Sequence, residues 1–453
     1  MKRVCLIDLP GLSRDLLQAV PPASRLGQWL AKQRIADLQP SFPAVTCSVQ
    51  ATLTTGAWPA EHGIIANGLA TYRSADDQKL VDLANHADYR CEVSFWEQSN
   101  QFLQRRRFWQ NENGTSRYKT AMLFFQNAMP GFAGQPQPAA DIIITPKPEH
   151  GPDGKTISLV WTNPRELEAQ LTAELGPFPL MHYWGPMAGI QSSQWIVRAA
   201  TAVWKQHQPQ LQLVYVPHLD YDLQRFGPTS DKAKQAVADV AAALEPLLEQ
   251  LEQDQAAVVL IGEYAMEEVN RSIAPNRLFA EAGLLQTRQT DEGPRIDYAR
   301  SRAFAMCDHQ IAHIYTQDAS AADTARQILA REGCEILERS QLSRVHLHHR
   351  RSGDLVASAP AGGWFDYRWW SDPADAPAFA RTVDIHRKPG YDPLELFFDP
   401  AARAIIQDPA RIRGSHGRQL PTPAVLAGDP AIVERQAYQA IDVPGVIERA
   451  MAL

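Results

Sequence analysis

Three short apolar runs, each leading to a carboxylate, do most to limit what this chain can become. Residues 2–9, KRVCLIDL, carry Asp8; LQLVYVPHLD, from residue 211, leads to Asp220 and then Asp222; AAVVLIGEY carries Glu263 near its end. Each run is short and uniformly apolar, which fits a strand buried on both faces. Helical stretches separate them. SSQWIVRAATAVWKQHQ places Trp195, Ala199, Ala200 and Val203 on one face. KAKQAVADVAAALEPLLEQLEQ repeats apolar residues from Val237 to Leu251 and predicts one long amphipathic helix. Parallel strands need crossovers of this kind. The expected class is α/β, a mostly parallel central sheet with helices on both faces. Such sheets gather ligands outside the carboxyl ends of their strands, where the three acids would meet.

A second stretch, PSFPAVTCSVQATLTTGAWPAEHGIIANG (Pro40 to Gly68), reads as loop, short helix and loop. Val49 and Leu53 share its apolar face, Thr55-Gly56 closes it, and Thr46 falls where an N-cap belongs. Unpaired N–H groups at a helix start favour an anion, so a hydroxyl held there could attack phosphorus; the plainer role is to cap the helix. Cys47 follows as the first helical residue, and His62 fits a structural role in the loop that presents Asn67. Further helices are expected near 13–20, in SRLGQWLAKQ and in ELEAQLTAELG, with strands near 121–125, 141–145 and 308–315. LATYRSADDQKLV reads as a hairpin or loop. The pattern loosens after 270, so the expected organisation is a core of 1–270 and 381–453 with 271–380 partly inserted as a small lid. The aromatic residues Trp364, Phe365, Trp369 and Trp370 there fit either a ring-stacking surface or a local hydrophobic cluster.

Composition narrows the function. A net charge of −7 and few clustered basic residues point away from a nucleic-acid polymer. Arg105-Arg106-Arg107 is the one basic run, flanked by aromatic residues, and is expected half-buried with solvated guanidinium groups. Five scattered cysteines read as reduced thiols, and no run approaches membrane-spanning length. The first apolar run is too short for a signal peptide, so a cytoplasmic location is expected.

Taken in order, Asp8, FPAVT, PAEHGIIANG, DYDLQRFGP, VVLIGEYAM and GSHG resemble the nucleotide pyrophosphatase/phosphodiesterase branch of the alkaline phosphatase superfamily. CEVSFWEQSN, LFFQNAM, ITPKP and FPLMHYWGP are similar to bacterial members of it. The resemblance implies an alkaline-phosphatase-like fold and a hydrolase of phosphodiester or phosphoanhydride bonds acting on a small phosphorylated substrate. It makes Thr46 the nucleophile, phosphorylated in the reaction, and Asn67 with the Cys47 N–H the donors to a phosphoryl oxygen. It also implies two divalent ions, zinc in the family. One would be held by Asp8, Thr46, Glu263 and Tyr264, and the other by Asp220, Gln224 and His416. Three of these depart from the family pattern: Gln224 stands for a histidine, and Glu263-Tyr264 for an Asp-His pair. The resulting oxygen-rich set suits manganese or magnesium. Replacement imidazoles could come from His218, His309, His313 or His386, although histidines in such places more often hold backbone or carboxylate groups; Asp222 could be a ligand or a supporting group. Cys47 lacks the proline and arginine of the sulfatase C-x-P-x-R motif. The competing functions are a phosphomonoesterase, a phosphoryl-transfer enzyme of secondary metabolism acting on an alkyl or prenyl phosphate, and a pseudoenzyme that binds a phosphorylated ligand.

Overall fold

The computed structural model describes every residue except 74–79, 83–90, 97–98, 132–136 and 151–155. The central sheet has nine strands: β1 Val4–Asp8, β2 Arg34–Gln39, β3 Thr120–Leu123, β4 Ile142–His150, β5 Thr156–Asn163, β6 Leu211–Tyr215, β7 Ala257–Ile261, β8 Ala424–Gly428 and β9 Ala437–Gln439. Their spatial order is β9-β2-β8-β7-β1-β6-β3-β4-β5. Only β8 and β5 run against the rest, so the sheet is mixed but mostly parallel. The three apolar runs become β1, β6 and β7, adjacent at the centre and buried at every residue. Asp8 pairs with Tyr215 on one side and Ile261 on the other. Its carboxyl therefore emerges at the common carboxyl end of all three strands.

Total burial of these strands requires cover on both faces. Helix α1, Thr46–Thr55, packs with the carboxyl-terminal helix Val443–Ala452, which touches β1 and β7. A separate group of helices packs around α2, Ile190–His207, whose Trp195, Ala199, Ala200 and Val203 are buried as their spacing predicts. The single long helix expected from residue 232 is two, Asp231–Ala243 and Glu245–Gln253. Pro246 explains the break, because it has no N–H to continue the first ladder and is suited to a helix start. The helix expected near 13–20 is a single 3-10 turn, Leu16–Ala19. In LATYRSADDQKLV the strands Gly68–Arg73 and Leu80–Asp82 pair antiparallel; residues 74–79 between them lie outside the described residues.

Within 271–380 a second sheet forms, four antiparallel strands in the order Ala303–Asp308, Ile311–Thr316, Leu355–Ser358, Glu335–Glu338. It builds a second apolar core with Ile65, Ala66, Phe95, Tyr367, Trp369 and Trp370. The strand expected at 308–315 is Ile311–Thr316, the second arm of a hairpin whose turn is His309-Gln310. Trp364, Phe365, Trp369 and Trp370 are all buried, the last three in this second core and Trp364 in a separate small cluster with Val269, Leu394, Ile405 and Ile412.

Candidate active site

The anchor is α1. Its N-cap is Val45, and Thr46 is the first helical residue, one place later than the sequence implied, with Cys47 the second. The Thr46 hydroxyl caps nothing; it lies 3.1 Å from the Tyr264 hydroxyl. Tyr264 in turn donates to Asp220 Oδ1 at 3.1 Å. Because the phenol has one proton and gives it to the carboxylate, Thr46 must donate to the phenol oxygen. The chain continues from Asp220 Oδ2, which accepts from Gln224 Nε2 at 2.7 Å, to Gln224 Oε1, which accepts from Tyr391 at 2.7 Å. Asp220 sits in the first turn of α3, His218–Phe226, and not on the strand end. Burial pushes its pKa up to about 7 against the pull of its two donors, and burial also holds Tyr264 in its neutral form.

Asp8 and Glu263 form the floor. Glu263 follows β7 through Gly262, where a Cβ would lie 2.0 Å from the Leu12 carbonyl. Glu263 itself adopts φ +57°, a conformation a non-glycine residue holds only where its surroundings impose it. Both carboxyls are completely buried, and among the described residues none of their four oxygens has a hydrogen-bond partner. Burial raises the pKa of each well above the carboxylate range, and the Asp8 charge raises Glu263 further. Gln50, on α1, offers both a weak counter-pull; its amide nitrogen falls short of a hydrogen bond, while its carbonyl is held by the Gln126 N–H at 2.8 Å.

On the other side, His416 stacks on the Tyr264 ring with centroids 3.8 Å apart. Its Nδ1–H donates to the Ala44 carbonyl at 2.7 Å, and its Nε2 stands 3.8 Å from Asp220 Oδ1, beyond hydrogen-bond reach. Next to it lies His309, its ring 4.0 Å from that of His416 and stacked on Tyr391 at 3.5 Å. His309 Nδ1–H donates to Asp308 Oδ1 at 2.7 Å. Burial keeps both imidazoles neutral, with pKa values well below the usual one. Asp308 also fixes Asn67, accepting from its N–H at 2.7 Å and from its Nδ2 at 3.1 Å. Since Asp308 can only accept, Asn67 must turn its carbonyl to Cys47, whose N–H donates to it at 2.8 Å. The Cys47 N–H is therefore engaged in placing Asn67, and the second Asn67 amide hydrogen is the one left to meet a ligand.

The structure thus brings together Asp8, Thr46, Asn67, Asp220, Gln224, Glu263, Tyr264 and His416. Of the four further histidines only His309 joins them. His313 donates to the Ile65 carbonyl and accepts from the Gly353 N–H, each at 3.2 Å, and His386 is exposed. His218 is buried near Asp222, which binds Arg225. His62 bridges Thr52 of α1 and the Ile64 N–H, as a structural residue would. Arg107 is buried, bonding the Asn127 carbonyl, contrary to the expectation of a solvated guanidinium. Sequence reasoning missed Asp308, Gln50 and Tyr391. The available signal was DHQ, a polar triplet between two apolar runs. Beside Tyr391 a cleft opens, lined in part by Trp96, Trp184, Lys388 and Glu395, with the Lys388 ammonium 2.8 Å from Asp392.

The implied pair of cations fits these donors unequally. Four orphaned carboxylate oxygens at Asp8 and Glu263 suit a hard cation, or shared protons in its place. At the other position Asp220 accepts from two donors and Gln224 turns its NH2 inward, so that donor set does not fit. Among the described residues, no three His, Cys, Asp or Glu side chains converge as a metal site.

The sequence profile of the type I phosphodiesterase / nucleotide pyrophosphatase family matches residues 4–392. Murine ectonucleotide pyrophosphatase/phosphodiesterase 5 superposes with a TM-score of 0.60 at 15% identity, covering 100% of this chain and 95% of that one. An inactive variant of the same murine protein in complex with AMP matches equally, at 0.60 and 15%, over 100% and 96%. Phosphonoacetate hydrolase from Sinorhizobium meliloti in complex with phosphonoformate gives 0.59 at 14% identity, over 99% and 96%. A search of curated proteins finds no match. At these identities the solved structures establish the fold, which is alkaline-phosphatase-like.

Proposed function

The chain belongs to the type I phosphodiesterase / nucleotide pyrophosphatase family of hydrolases, and from that premise we propose that it hydrolyses a phosphodiester or phosphoanhydride bond in a small phosphorylated substrate through a phosphorylated Thr46. The observation that carries this reading is the chain Thr46–Tyr264–Asp220, a hydroxyl nucleophile at the start of a helix with a route for its proton. As the Thr46 Oγ1–P bond forms and the bond to the leaving oxygen breaks, the Thr46 proton passes to the Tyr264 oxygen. The Tyr264 proton then moves to Asp220, whose pKa near neutrality suits a general base. Asn67 Nδ2 donates to a phosphoryl oxygen as charge builds there. The leaving oxygen takes a proton from solvent. Water then attacks the phosphothreonine and gives up one proton to solvent, as the Thr46 oxygen departs and regains its own proton from Asp220 through Tyr264. A divalent cation held by Asp8 and Glu263 would neutralise phosphoryl charge when bound.

A second reading, a binding protein without turnover, draws on the engagement of the Cys47 N–H by Asn67 and on the inward-facing Gln224 amide. Bis-p-nitrophenyl phosphate and p-nitrophenyl phosphate, each offered with magnesium, manganese or zinc, separate the possibilities. The hydrolase reading expects turnover of the diester and its loss in Thr46→Ala. Turnover of the monoester alone would make the protein a phosphomonoesterase. No turnover of either, or an unchanged Thr46→Ala variant, would defeat the hydrolase reading.

A further inference from the structure

The two halves of the family's cation site are in opposite states here. At Asp8 and Glu263, two completely buried side chains present four oxygens with no hydrogen bond to any of them among the described residues, and Gln50 brings one unpartnered amide nitrogen to that side. An arrangement so rich in acceptors calls for positive charge or for protons. At Asp220 the acceptors are already matched. Tyr264 donates to one oxygen and Gln224 to the other. Gln224 cannot turn its carbonyl inward, because that would set it against the Asp220 carboxylate and break its bond from Tyr391. The Nε2 atoms of His416 and His309 are the imidazole nitrogens on that side, and with both Asp220 oxygens already matched they are too few to hold an ion.

We infer that this chain holds a single divalent cation, between Asp8 and Glu263, and that the Tyr264 phenol bridging Thr46 and Asp220 replaces the second ion. The phenol does by hydrogen bonding what a shared cation would do by charge: it ties the Thr46 oxygen to the Asp220 carboxylate. The two substitutions belong together. Tyr264 fills the space with a donor and Gln224 supplies the matching donor to the other Asp220 oxygen. The inference rests on the proposed phosphoryl-transfer reading of the pocket, but the number of bound cations is measured without substrate.

The test uses full-length protein stripped with chelator and equilibrated with manganese or, in parallel, zinc. Cations per chain are read by calorimetry and by elemental analysis of the washed protein. One per wild-type chain is expected, none in Asp8→Asn/Glu263→Gln, and two in Gln224→His/Tyr264→His, with circular dichroism confirming the fold of each. Two per wild-type chain would overturn the inference, and loss of one of them in His309→Ala would identify the missed donor. No cation in the wild type would overturn it, and so would a folded double-histidine variant that still binds one. Absent turnover with a count of one would remove the hydrolase reading and leave this inference standing.

Discussion

A buried carboxyl with a pKa near 7 gives a residue such as Asp220 a definite signature. Its ordinary value is 3.8, and burial raises it to about 7. Only the ionised form can take the proton relayed from Thr46. Diesterase kcat/KM should therefore climb as pH rises towards about 7 and level off above it, the acid limb reporting a group of the free enzyme. A profile flat through neutral pH would exclude Asp220 as the base. Tyr264→Phe keeps the ring stacked on His416 but removes the hydroxyl, so kcat should drop by about a hundred- to ten-thousandfold with little change in melting temperature. Asn67→Ala should lower kcat by roughly a hundred- to a thousandfold, the range for one lost oxyanion donor. Asp308→Asn keeps the volume but swaps an acceptor for an amide that can face Asn67 wrongly. We expect about a ten- to hundredfold loss carried by kcat, since Asp308 acts through the Asn67 it holds. A change in KM alone would mean that Asp308 contacts the substrate directly.

At the scale of elements, the sheet centre was legible because β1, β6 and β7 are uniformly apolar, a pattern that needs no tertiary knowledge. Asp8 and Glu263 inherit that clarity from their strands. Asp220 lies on a helix where its apolar run predicts a strand end, since Pro217 ends the strand run and starts α3 before the acid is reached. The His309 turn was hidden for a different reason. A two-residue turn with φ +58° on a histidine lacks the glycine or asparagine that usually marks one, so the expected strand at 308–315 includes the turn and the first arm goes unmarked. That hairpin is held against the Asn67 loop by His313, whose neutral ring donates to the Ile65 carbonyl and accepts from the Gly353 N–H. Burial lowers its pKa from 6.5 to about 4. Below pH 6.5 the unfolded chain takes up a proton that the folded ring refuses. The contribution of His313 to stability is thus whole above that pH and is lost as pH falls towards about 4. His313→Asn should cost about 1–3 kcal/mol at neutral pH by leaving buried groups unpaired. The gap between wild type and variant should then narrow by about 1.4 kcal/mol per pH unit on acidification in urea titrations. A gap that widens would mean the ring is charged in the folded protein.

Across the whole molecule, the site lies where two apolar cores meet. Tyr264 and the strands of the large sheet, including the one that ends in Asp8, belong to one, while the hairpin that carries Asp308 and His309 and the strand after Asn67 belong to the other. No sequence pattern announces this seam, because each core is internally complete in its periodicity and the hydrogen bonds that Asn67 donates to Asp308 span 241 residues. The arrangement has a thermodynamic consequence. A ligand held by Thr46 and Asn67 together contacts groups fixed by both cores, so it stabilises both or neither. Vanadate at about a hundred times its Kd should add about 2.7 kcal/mol to the unfolding free energy. In calorimetry the increase should move the melting of the whole chain as a single transition, even under conditions where the ligand-free protein melts in two. Asp308→Ala, which cuts the tie between Asn67 and the hairpin, should leave vanadate able to shift only the transition of the large sheet. If vanadate instead raises both transitions equally in that variant, the two cores are coupled through other contacts, and Asp308 serves the local placement of Asn67 alone.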